Sequence, residues 1–126
     1  MNTNENVDSS FGTIIDTVRN ALRIKSHTFD KEIQDLIEAC LKDLSLVGIS
    51  FSKLNKLDDP LIKSAIYNYS KANFGLDNSD SEKYRLSYEN LRLKMSISDE
   101  YTKEGKDHVD GWMHFTKTKR NHQWKV

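Results

Sequence analysis

The side chains that could carry chemistry in this chain of 126 residues are four histidines, one cysteine and two acidic clusters. The histidines stand at positions 27, 108, 114 and 122. A metal site needs three or four ligands brought together, usually at tighter spacing than His108, His114 and His122 offer. They read as solvated side chains. Cys40 sits among Leu36, Ile37, Leu41 and Leu44, where a thiol serves as a small hydrophobe, and no histidine or lysine is spaced to activate it. Asp58 and Asp59 stand directly before Pro60, the arrangement of a helix start rather than of a catalytic pair. "DNSD" followed by Glu82 lacks the ligand spacing of a calcium loop and reads as a helix cap. The sequence holds no G-x-S-x-G, Walker loop, dinucleotide glycine pattern, H-E-x-x-H or EF-hand loop. No catalytic residue, cofactor or metal is assigned, and the chain is not expected to be an enzyme.

Composition directs attention to contact. The chain is 37% hydrophobic and 30% charged, with one proline and five glycines, a mix that suits one small helical domain. Formal net charge is zero, but residues 1–100 carry 13 Lys/Arg against 16 Asp/Glu, whereas residues 101–126 carry six against three. A mildly acidic body with a basic, aromatic tail gives the tail a separate task. The excess is too weak for a dedicated nucleic-acid binder. The single cysteine excludes an intramolecular disulfide and fits a reducing compartment. No apolar run approaches the ~18 residues of a membrane helix, and "MNTNENVDSS" is no signal peptide. A soluble protein made in the cytoplasm is expected, with no membrane partner.

Four helices must position whatever surface does the work. Phe11, Ile14, Ile15, Val18 and Leu22 recur at helical spacing, which predicts a short amphipathic helix after a polar, flexible start. In "FDKEIQDLIEACLKDLSLVG", Asp30 is the expected N-cap, Ile33 to Val47 form one stripe, and Gly48 stops the helix. "ISFSKLNKLD" reads as a connecting loop with apolar anchors, with room for a turn of helix. Asp59 then caps a third helix with Pro60 in its first position and Gly75 just past its end. Leu61, Ile62, Ala65, Ile66, Tyr69 and Ala72 share its main face. The fourth runs from about Ser81 to Met95 on a stripe of Tyr84, Tyr88, Leu91 and Met95.

Two of these helices carry a second apolar pair opposite the main stripe. Tyr67 with Phe74, and Leu86 with Leu93, are candidates for packing against a neighbouring subunit, although a small bundle can also bury one helix on two sides. The tail sets Trp112, Met113, Phe115 and Trp124 among Lys117, Lys119 and Arg120. Such a segment can anchor in a partner's groove or add to its sheet edge. It can also stack on single-stranded nucleic acid, so the alternative reading is a small nucleic-acid-binding regulatory protein. Partner docking is preferred, because the rest of the sequence offers no basic surface to extend a nucleic-acid contact.

The order of these pieces resembles a known family. "VRNALRIKSHTFDKEIQDLIEACLKDL" is similar to the opening of the head-to-tail connector, or adaptor, proteins of tailed bacteriophages. "DPLIKSAIYNYSKANFGLDNSDSEKYRLSYENLRLKMSISDEY" resembles the Gram-positive-phage branch, with the D-P-L-I-K through K-A-N-F-G run and S-Y-E-N-L as the specific part. The resemblance covers about residues 18–101. It implies a structural subunit of the virion neck at the head–tail interface. Its members form a ring, typically of twelve subunits, under the portal protein, extending the DNA channel toward the next neck, stopper or tail protein. DNA would be enclosed without sequence-specific binding. The C-terminal arm becomes the portal-docking candidate by analogy of location. A bore that passes DNA should avoid sticking to phosphates, so Glu32, Asp35, Glu38 and Asp43 are channel-lining candidates. The expected fold is all-α, a small bundle of about four helices with an extended C-terminal arm. Residues 1–10 would be flexible, 11–98 the helical adaptor domain, and 99–126 the linker and docking arm.

Overall fold

Wherever apolar residues recur at three and four positions, the chain closes into helix. The computed structural model describes residues 3–75 and 79–103, with side chains from residue 11 onward. Among the described residues there are six helices and no strand: α1 (Thr3–Ala21), α2 (Asp30–Leu46), α3 (Phe51–Leu54), α4 (Pro60–Asn73), α5 (Ser81–Ser96) and α6 (Asp99–Thr102). The fold is all-α. Four helices are long, and α3 and α6 are single turns.

Local signals set most of the boundaries. Asp59 Oδ2 accepts hydrogen bonds from the backbone N–H groups of Leu61 at 3.1 Å and Ile62 at 3.3 Å, satisfying two orphan donors at the start of α4. Pro60 follows, where a missing N–H costs nothing. Gly48 and Gly75 take φ values of 100° and 70°, the left-handed conformation that ends α2 and α4. α1 ends in the same way but with Arg23 at φ 62°, while Ile24 N donates back to Arg19 O at 3.1 Å.

Two details differ from the sequence reading. α1 begins at Thr3, so the start expected to be flexible is helical backbone from that residue. Extending an existing helix is far easier than nucleating one, and the turn around Phe11–Ile15 supplies the nucleus. Asp30 is the first residue of α2 and not its cap; Phe29 holds the cap position without a side-chain bond. The Asp30 carboxylate goes instead to Arg19. The connection between α2 and α4 does hold a turn of helix, α3, whose cap residue Ser50 accepts through Oγ from Lys53 N at 3.4 Å.

α4 is the central element, packed most heavily on α5, then on α2 and α1. Its Ile62, Ala65 and Ile66 are fully buried. Ile14 and Val18 reach the core from α1, and Ile33, Ile37, Cys40 and Leu44 from α2. α5 contributes only Tyr88 and Met95 as buried residues, and α6 contributes Tyr101. The last helices are thus held by few side chains, and much of the outside of α5 is uncovered.

Truncating the shared centre should therefore cost far more than truncating the outer face. Ile66→Ala is expected to lower unfolding free energy by roughly 2–5 kcal/mol, because it leaves a cavity in the buried core. Leu93→Ala, on the exposed side of α5, should change it by no more than about 0.5 kcal/mol. Urea denaturation followed by circular dichroism checks both.

Candidate functional site

Three polar clasps fix how the helices present their outer faces. The first joins α1 to α2. Arg19, almost fully buried, forks onto Asp30 through Nε–Oδ1 at 2.8 Å and Nη2–Oδ2 at 2.9 Å, and also reaches Asp16 at 2.9 Å. His27 Nδ1 lies 2.9 Å from Asp30 Oδ2. The paired guanidinium, then His27, hold the Asp30 carboxyl below its ordinary value.

A second clasp joins α2 to α5. Asp43 Oδ2 accepts from Tyr88 Oη at 2.6 Å and from Arg92 Nη1 at 2.8 Å. The Arg92 guanidinium also lies over the Tyr88 ring, which meets Tyr69 edge-on at 5.1 Å. Burial first, and then Cys40 and Asp43 close by, raise the Tyr88 hydroxyl far above its normal range. Burial likewise pushes the Cys40 thiol up to about 12. A thiol and a phenol so far from ionising at neutral pH supply no nucleophile or base.

The third clasp closes the end of the domain. Tyr101 Oη donates to Asp59 Oδ2 at 2.8 Å, and Ser50 N donates to Tyr101 O at 2.8 Å. Lys53 Nζ lies 4.6 Å from the centre of the Tyr101 ring, 3.7 Å from Asp59 and 3.0 Å from Glu100. Burial pushes the Asp59 carboxyl up, but the bonds from Tyr101, Ile62 and Leu61, with the Lys53 charge, more than offset it. The carboxyl sits below its ordinary value. Burial and the bond to Asp59 push the Tyr101 hydroxyl up to about 12.

The outer faces carry the sequence-predicted contact residues unevenly. Tyr67 is 38% exposed, Leu86 49% and Leu93 60%. Phe74 does not share an outer face with Tyr67. α4 ends at Asn73, and Phe74 is its cap residue, with its N–H still bonded to Ser70 O. Its ring meets Phe29 edge-on at 5.6 Å and packs on the core. The sequence reading missed Ile97 and Leu46, exposed at 77% and 72%. The spacing of Ile97, four residues after Leu93, was the available signal.

Glu32, Asp35 and Glu38 lie exposed along α2. Lys31 donates to Asp35 at 2.9 Å and Gln34 to Glu38 at 3.1 Å. Asp43 does not belong with them as a free acidic position, because Tyr88 and Arg92 occupy its carboxylate. Its place directly before Leu44, at the seam between α2 and α5, is a tertiary fact that helical spacing does not reveal. The arm residues Trp112, Met113, Phe115, Lys117, Lys119, Arg120 and Trp124 lie outside the described residues, as do His108, His114 and His122.

Concave features are open. One groove of about 400 Å³ between α1 and the start of α4 is lined by Thr13, Thr17, Asn55, Lys56, Asp58 and Lys63, among others. Among the described residues no three His, Cys, Asp or Glu side chains are grouped to hold a metal, and no helix is long and apolar enough to cross a membrane.

The family model described as phage connector protein matches residues 14–102. The chain belongs to that phage connector family. No curated protein and no solved structure gives a significant match. Membership makes it a structural component of the virion that associates with other phage head and tail proteins. The matched span begins at buried Ile14 and ends one residue past buried Tyr101, so it coincides with the clasped helical unit.

The third clasp predicts a pH dependence. With its folded value below the ordinary 3.8, Asp59 contributes stability that is complete above that value and is lost as pH falls through the folded one. Asp59→Asn should lower the melting temperature at neutral pH and lose less than the parent on acidification. Thermal melts recorded from neutral to acid pH read the difference in slope.

Proposed function

We propose that this connector is an adaptor subunit of the neck, assembling with further copies into a ring beneath the portal and leading the DNA channel toward the next neck, stopper or tail protein. The family match over the whole clasped unit carries this reading, with the expectation of twelve copies taken from the family resemblance. The uncovered apolar residues support it. A contact that repeats by rotation joins two different faces of one chain, and α5, with Leu86 and Leu93 outward, offers one such face. Tyr67 on α4 is a further contact residue, flanked by Lys71 at 5.9 Å from its ring centre.

The acidic residues Glu32, Asp35 and Glu38 on the outer side of α2 suit a bore that must not hold phosphates, since they repel the duplex and retain water. The arm from Gly111 to Val126 would dock on the portal. Its tryptophans, Met113 and Phe115 would act as anchors, and Lys117, Lys119 and Arg120 as flanking cations. Anchors of this type suit a pre-existing groove on a partner.

Negative-stain imaging of the chain mixed with its own portal ring, against the chain alone, tests the adaptor role. A new ring-shaped layer stacked on the portal is expected, and it should be absent when Gly111–Val126 is deleted. A truncated chain that still bound portal fully would remove the docking role from the arm. No layer with the full chain, across a range of salt and concentration, would defeat the ring reading.

A further inference from the structure

The outside of α5 holds a narrow apolar seam that no described element covers. Leu86 and Leu93 lie about 20° apart around the helix axis at 3.6 residues per turn, and Ile97, the cap residue directly after α5, follows with its N–H bonded to Leu93 O at 3.3 Å. All three are exposed, and exposure increases toward the C-terminal end of the helix. Scattered exposed leucines are ordinary, but three in register on one helix face form a surface.

One apolar segment is tethered beside this surface. Tyr101 is bound through its hydroxyl, its ring and its carbonyl, and it follows Ile97 by four residues. The chain therefore leaves the domain at the end of the seam where exposure is greatest. From Lys103, nine residues lead to Trp112, a reach of up to roughly 30 Å in extended chain. The seam from Ile97 to Leu86 is only about 16 Å long. Met113 and Phe115 follow Trp112. Tethering over so short a span raises the local concentration of the segment to the order of millimolar, so modest apolar contacts suffice.

We infer that the Trp112–Phe115 segment of the same chain docks on the Leu86–Leu93–Ile97 seam. The docked arm covers residues that the proposed ring places between subunits, so the free chain is held from closing on a second copy until a partner draws the arm away. That consequence rests on the ring reading. The docking itself does not.

The chain contains two tryptophans, Trp112 and Trp124, so tryptophan emission reports the arm alone. In the full chain carrying Trp124→Phe, Trp112 should emit at blue-shifted wavelength and be quenched several-fold less by acrylamide than free tryptophan. Both properties should be lost on adding Leu86→Asn and Leu93→Asn, and both should be unchanged on dilution. Circular dichroism verifies the helical fold. If the double substitution disturbs it, Ile97→Asn, at the most exposed position, replaces it. Solvent-like emission in the parent, or a blue shift that the seam substitutions leave intact, would overturn the inference. Loss of the shift on dilution would place the arm on a second copy and overturn it equally. Because no portal is present, an exposed arm beside a ring that forms would sink only the docking. A docked arm with no ring on the portal would sink only the ring.

Discussion

A single carboxylate, that of Asp59, ties together the parts of this domain that local helix formation leaves separate. It caps α4 through two backbone N–H groups, receives the Tyr101 hydroxyl, and faces the Lys53 ammonium. A carboxylate largely withdrawn from water is costly when unpaired, and this one takes three hydrogen bonds on Oδ2 and the Lys53 charge near Oδ1. The balance of effects is visible in its proton affinity: burial alone would raise it, and the surrounding donors bring it below the ordinary value. The start of α4, the α3 turn and the final α6 turn are thereby registered against one another. α4 is the helix on which α1, α2 and α5 all pack.

What could be read from the sequence follows from how far each signal travels. Asp59–Pro60 and the glycines at 48 and 75 act on backbone within a few residues, and the structure places helix boundaries there. The apolar stripes of α2 and α4 were equally legible, because burial follows helical period. Asp30 and Asp43 were not. Each looks in sequence like a helix cap or an exposed acid, but each is claimed by an arginine distant in the chain, Arg19 and Arg92. Phe74 marks a different failure. A helical wheel gives directions around one helix and not the neighbour that waits at its end, here the Phe29 ring. The open surface was legible in part: Leu86 and Leu93 from spacing, Ile97 not, because it falls just past the end of the stripe that was counted.

The physical reason for that open surface is the thinness of the core near the C-terminal end. α5 buries only Tyr88 and Met95, and its attachment relies on the Asp43 clasp and the Tyr69–Tyr88 contact as well as on apolar packing. A small domain cannot cover every helix on both sides. An edge helix of this kind leaves its outer residues for something else to cover, whether a second copy or a segment of the same chain. Both occupants are proposed here for one seam, and they exclude each other.

Such exclusion is most useful in a component that should assemble in one place. The core cluster of the described chain lies between Ile14 and Tyr101, and the family match ends at Thr102. The proposed arm lies beyond that unit in sequence. Changes in the helices are constrained by the shared centre around α4. Docking energy concentrates in a few large anchors, so in the proposed docking arm a small number of substitutions would retune the partner. Tyr101 is the hinge point of this division. Held by Asp59, Lys53 and Ser50, it fixes the end of the packed unit through the same clasp that registers α4.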